Sequence, residues 1–304
     1  SLIWGQTFQE LASRRTLIRY DERGNGLSDW DAEITFDAFV RDLEVVVDAL
    51  GLARFPLLGM SQGCAVSIAY AVRHPERVSA LVLLGGYAAG WRIGASPEER
   101  ERREAVMTLT RLGWGTNNAA YRHIFSQTFM PDGTPQELAW FDEFQRQTTS
   151  SDNAVRFQDA FGDIDVRHLL HRVRAPTLVL HARDDQRITH DQGRELAIGI
   201  PGARFVSLDS RSHIILGHEP AWPVCMAEID RFLVDIGQHF VRNFCQANFG
   251  VSHGRGVVAV HRTEVALAVD QQVAQRERLG HTHDGVVDRG VAVRVVLTDH
   301  VTDH

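Results

Sequence analysis

The chain has 304 residues, 44% of them hydrophobic, and a formal net charge of −7 at pH 7, enough length for one large or two modest domains with a sizeable core. The mild, dispersed charge has no basic stripe, which argues against a nucleic-acid partner and for a small organic ligand. Three cysteines without a CxxC spacing argue against a disulfide framework or zinc site, and no run approaches a bilayer span of roughly 18 apolar residues. A cytoplasmic protein without metal, cofactor or membrane is therefore expected.

"RTLIRYD" (15–21) and "RFPLLGM" (54–60) read as short buried strands. Between them Phe36, Phe39, Val40, Leu43, Val46, Val47 and Leu50 keep helical spacing, with Gly51 where a C-terminal cap falls. "CAVSIAYAVRHP" is apolar on nearly all sides and predicts a helix buried against a sheet and stopped by Pro75. "VSALVLLGG", "APTLVLHAR" and "ARFVSLDS" add strands. Strands alternating with helices predict an α/β fold, a mostly parallel sheet with helices on both faces.

Residues 1–88 and 169–237 form this core, and residues 89–168 differ, being helical with no strand-like run. "SPEE" at Ser96 and "TPQE" at Thr134 are capping boxes with Pro at the first helical position. Helices carrying Trp114, Phe125, Phe129, Trp140, Phe141 and Phe144 follow, and the segment reads as an inserted helical cap. Its aromatics mostly pack it onto the core, but Trp114, Phe125 and Trp140, with Met60 and Ile214 beside the site, are expected to bind substrate, since ligand sites favour apolar walls at such junctions. Residues 238–304 form a tail of unknown order with seven of the fifteen histidines. "VAVRVVL" there is a candidate strand without a convincing core around it, and "HTHD" at His281 reads as an exposed tract rather than a metal site.

Ser61 stands in "GMSQG", and a G-x-S-x-G pattern alone turns up by chance in roughly one chain in ten of this length. Its context strengthens it. A strand leads in, a helix leads out, and Gly59 and Gly63 leave room for the sharp bend of a nucleophile elbow, with the Gln62 amide beside the serine at a helix N-terminus. A serine hydroxyl needs a base to take its proton and a carboxylate to orient that base. Both follow in the order Ser, acid, His. Asp184 and Asp185 end one strand, and Asp185 is preferred because it is expected to point back across the sheet edge; His213 follows the last strand and is preferred to His218. His74, His123, His168, His171 and His190 read as surface or structural.

"YDERGNGLSDW", "GMSQG", "RHPERVSALVLLGGYA", "PTLVLHARDD" and "PGARFVSLDSRSHI" resemble the α/β-hydrolase superfamily over about residues 1–237, most closely the bacterial hydrolase domains that also occur fused to nucleotide cyclase or LuxR-type regulators. The resemblance implies a Ser61–Asp185–His213 triad, ester hydrolysis, and a structural role for Arg23 within the Asp21–Gly26 loop. Lactonase, carbon–carbon hydrolase and perhydrolase activities share the triad, and a weakly catalytic ligand-sensing module is the rival from another class. The family has two or three strands and a His-Gly loop before the helix represented by "IWGQTFQELASRR". Their apparent absence implies a weak esterase or a substitute for the second oxyanion donor. It also implies a bare sheet edge that invites homo-oligomers unless "VAVRVVL" covers it.

Overall fold

A computed structural model describes residues 2–249, 265–269, 282–287 and 291–296. Strands β1 (Thr16–Tyr20), β2 (Phe55–Met60), β3 (Val78–Leu84), β4 (Thr177–Ala182) and β5 (Arg204–Leu208) arise from the apolar runs. Residues along β1 and β4 are buried on both faces, which is why these segments lack polar alternation. Parallel ladders set Leu58 opposite Val82, Val82 opposite Leu178 and Leu178 opposite Arg204.

Helix α2 (Phe36–Ala49) starts on Thr35, whose hydroxyl accepts from the Ala38 amide, and Gly51 follows it with φ +63°. Helix α3 (Gly63–Arg73) is buried from Gly63 to Ala71, and with α2 and α8 (His190–Gly199) it packs one core layer. Helices α1 (Gly5–Ala12) and α9 (Ala221–Phe249) pack the other. Helix α9 runs without a break across residue 237, where the sequence suggested an end.

Three described segments of the tail join the sheet, the candidate strand "VAVRVVL" among them. With β6 (Val265–Val269), β7 (Thr282–Val287) and β8 (Val291–Val296), the order is β5-β4-β3-β2-β6-β1-β8-β7. Strand β6 lies parallel between β1 and β2, pairing Leu267 with Ile18 and Ala268 with Leu58. Strand β8, the "VAVRVV" segment, runs antiparallel to β1 and pairs with β7. The backbone of β1 and β2 needs ladder partners, and valine-rich segments suit that place. Part of the His-Thr-His-Asp tract falls on β7; its side chains lie outside the described residues.

Between β3 and β4 come α4 (Pro97–Gly113), α5 (Ala120–Phe129), α6 (Pro135–Thr148), α7 (Ser151–Gly162) and a 3-10 turn (Arg167–Arg172). Both expected capping boxes form, Ser96 with Glu99 and Thr134 with Glu137. The buried Arg122 ties these helices together: Nε donates to the Asp142 carbonyl at 2.7 Å, and Nη1 to those of Trp114 at 2.6 Å and Thr116 at 2.8 Å. The Asp21–Gly26 loop anchors the segment from the core side. The Gly24 carbonyl accepts from Thr149 Oγ1 at 2.7 Å, and the Gly26 amide donates to the Thr148 carbonyl at 2.7 Å. Arg23 holds that loop by a two-pronged pair with the buried Asp42 at 2.7 and 2.5 Å, a structural task.

Candidate active site

Strand β2 delivers Ser61 at a bend that only a tight backbone allows. Ser61 has φ +55°, the one left-handed residue other than glycine among those described. A Cβ on Gly59 would lie 2.7 Å from the Gly63 carbonyl oxygen, so the approach of α3 requires glycine there. The Ser61 amide donates to the Leu84 carbonyl at 2.9 Å, fixing the elbow to β3. The amide of Gln62, at the start of α3, donates to no group among the described residues, and its buried side-chain amide is likewise unpartnered.

His213 and Asp185 come from loops at the same end of the sheet, after β5 and β4. Ser61 Oγ lies 3.0 Å from His213 Nε2, and His213 Nδ1 donates to Asp185 Oδ2 at 2.8 Å. Asp185 Oδ1 accepts from the amides of Arg187 at 2.7 Å and Ile188 at 3.0 Å. Burial works to raise the Asp185 carboxyl, but the His213 charge and hydrogen bond and the two amides outweigh it and hold the group below its ordinary value. Asp184 is exposed and its side chain takes no part.

The sequence did not single out the supports of this constellation. Glu219 clamps the His213 loop: Oε1 accepts from the Leu216 amide at 2.9 Å, Oε2 accepts from Ser210 Oγ at 2.5 Å, and that hydroxyl in turn receives the Ser212 amide at 2.9 Å. The buried His181 donates from Nε2 to the Ile188 carbonyl at 2.9 Å and stands 3.5 Å from Asp185 Oδ2. Burial lowers the pKa of His181, which favours the neutral ring. By contrast His218 faces Glu137, His123 pairs with Asp142, His74 with Glu44 and His190 with Ser207.

A cavity of about 140 Å³ opens beside Ser61 and Gln62 under α4–α7. Trp114 and Phe125 line it, whereas Met60, Trp140 and Ile214 do not. Met60 and Ile214 belong to the core layer of α1 and α9, and Trp140 stacks on Phe144 at 4.9 Å and meets Trp4 edge-on. Apolar surface next to the site is satisfied there by the core itself. Walls the sequence missed include Tyr87, Trp91, Phe129, Arg103 and Arg187. Arg187 lies two residues past Asp185, a proximity that could have flagged it; Arg103 depends on how α4 folds back. Among the described residues no group of three or more His, Cys, Asp or Glu could hold a metal ion, and no helix is long and apolar enough to cross a membrane. Strand β6 ends at Val269 opposite Gly59, and the chain that follows, where a second oxyanion donor would be sought, lies outside the described residues.

The family profile described as alpha/beta hydrolase fold matches residues 1–220. The chain is 28% identical over 199 residues to the AB hydrolase superfamily protein YisY of Bacillus subtilis (strain 168), covering 64% of this chain and 74% of that protein. It is 30% identical over 220 residues to a 2-hydroxymuconate semialdehyde hydrolase of Pseudomonas sp. (strain CF600), covering 66% of this chain and 71% of that one. Among solved structures, the enol-lactonase from Burkholderia xenovorans LB400 superposes with a TM-score of 0.57 and 26% identity, over 71% of this chain and 80% of that one.

Proposed function

The chain belongs to the alpha/beta hydrolase fold family, and from that premise we propose that it is a serine hydrolase that cleaves small carboxylic esters through an acyl-enzyme. The observation that carries the reading is the unbroken chain Ser61 Oγ, His213, Asp185, at 3.0 and 2.8 Å. His213 takes the Ser61 proton as Oγ bonds to the ester carbonyl carbon, and returns it to the departing alcohol as the C–O bond breaks. Water then repeats the sequence and frees the acid. Asp185, kept ionised, holds the His213 tautomer and steadies the imidazolium. The unengaged Gln62 amide supplies one donor to the oxyanion. A cavity of about 140 Å³ suits a short acyl chain or a single ring.

A second reading, hydrolysis of a lactone or of a carbon–carbon bond, is favoured by relatives named as an enol-lactonase and a 2-hydroxymuconate semialdehyde hydrolase. Both readings use the same triad. Purified protein should release p-nitrophenol from the acetate and butyrate esters and take up a fluorophosphonate on Ser61. Lactone turnover well above ester turnover would favour the second reading. No turnover and no labelling would overturn both in favour of a ligand-sensing module.

A further inference from the structure

Two arginines from separate parts of the chain, Arg103 on α4 and Arg187 in the loop after β4, line the cavity beside Ser61, and among the described residues no aspartate or glutamate lines it. Among the described residues neither guanidinium makes an ion pair or side-chain hydrogen bond. The nearest acids are engaged elsewhere. Asp185 is held by His213 and two amides, and Glu99, one turn before Arg103, accepts from the Ser96 amide at 2.8 Å. The Arg187 guanidinium is seated against aromatic rings, 5.5 Å from the centre of Phe125 and 5.2 Å from that of Phe129. Burial, with the charge of Arg103 adding to it, pushes Arg187 down to about 10, so it stays charged at neutral pH. Two like charges in a partly desolvated wall, with Asp185 and Glu99 acting on them only through space and no carboxylate in contact, are costly unless a ligand supplies one.

We propose that the substrate of this site carries a second, anionic group, a carboxylate a few carbons from the scissile carbonyl on the acyl side, which Arg103 and Arg187 receive. This rests on the acyl-transfer reading of Ser61. The planar carboxylate matches the guanidinium fork, and the aromatic and aliphatic walls take the chain between the two ends. The reaction is hydrolysis of a dicarboxylic monoester: the C–O bond to the alcohol breaks, water supplies hydroxyl and proton, and a dicarboxylic acid leaves.

The test compares monomethyl succinate, glutarate and adipate with methyl butyrate, pentanoate and hexanoate. Turnover is followed by acid release on the wild type, and binding of the same esters by calorimetry on Ser61→Ala. At least one monoester should exceed its neutral match about tenfold in kcat/KM and in affinity, with the margin shrinking as salt rises. Arg187→Met and Arg103→Met should each reduce the anionic-to-neutral ratio. That ratio compares two substrates on one preparation, so partial misfolding does not move it. Turnover of the neutral esters with no anionic preference, or a preference that both arginine variants retain, overturns the proposal and leaves the acyl-transfer reading intact. Arginine-dependent binding without turnover of any ester overturns the acyl-transfer reading and supports the anion-binding role of the arginines.

Discussion

Phe129, at the end of α5, meets the His213 ring edge-on with centroids 5.3 Å apart, and its carbonyl accepts the amide of Ile214 at 3.1 Å. The inserted helices therefore do more than roof the cavity, since one of their residues packs on the ring of the proposed base and accepts from the amide of the residue after it. Removing the ring leaves His213 free to tilt away from Ser61. Phe129→Ala should lower kcat by about ten- to a hundredfold, the range expected for a misplaced catalytic group. Steady-state kinetics on a p-nitrophenyl ester check this, and an unchanged kcat would mean that the core alone positions the imidazole.

Much of this arrangement was legible from local signals. The apolar runs of β2 and β3, the capping boxes at Ser96 and Thr134, and the order of Ser61, Asp185 and His213 each depend on a few neighbouring residues. What was not legible depends on distant parts of the chain. Nothing local in "VALAV" says that it will insert between β1 and β2, and the polar start of β7 hides its place beside β8. Trp140 and Trp114 look alike in sequence, yet only the fold decides that one stacks on Phe144 and the other faces the cavity. Arg187 stands two residues past Asp185, but nothing local pairs it with Arg103, and only the fold brings both to one cavity.

The two neighbouring acids should separate cleanly. Asp185→Asn removes the carboxylate that receives His213 Nδ1–H and should cut kcat on the order of a thousandfold to ten-thousandfold. Asp184→Asn alters an exposed side chain and should leave kcat nearly unchanged. The reverse ranking would move the orienting acid to Asp184.

The lowered pKa of Asp185 also predicts a pH dependence of stability. Its folded value lies below the unfolded aspartate value of about 4, so the ionised group stabilises the fold in full above that pH and the contribution is lost as pH falls through the folded value. The difference in Tm between wild type and Asp185→Asn should hold steady above about pH 5 and shrink as pH falls below about 4. A difference that persists in strong acid would mean that ionised Asp185 is not what stabilises the loop.

Arg122 should prove a keystone of the inserted helices. Arg122→Met would strand the buried carbonyls of Asp142, Trp114 and Thr116 and cost about 3 to 5 kcal/mol in urea unfolding. Arg122→Lys should recover little of this, because a single ammonium cannot span acceptors served by a planar fork. A loss under about 1 kcal/mol would show that water or other donors replace it.

Gly90 stands where the chain leaves the core, next to the Ala89–Asp165 bridge, and a Cβ there would sit 2.1 Å from the Phe161 carbonyl oxygen. Gly90→Ala must push two backbone segments apart, costing about 1 to 3 kcal/mol. Thermal melts test this, and an unaltered Tm would contradict the close approach.

The most direct measurement is intact-mass analysis of fluorophosphonate labelling, run beside p-nitrophenyl butyrate turnover, on wild type and Ser61→Ala. Wild type should gain a single adduct that maps to Ser61 and stops turnover, while Ser61→Ala, folded by circular dichroism, should gain none and lose nearly all activity. An adduct on another residue, or undiminished ester hydrolysis by Ser61→Ala, would contradict the assignment of Ser61 as the nucleophile.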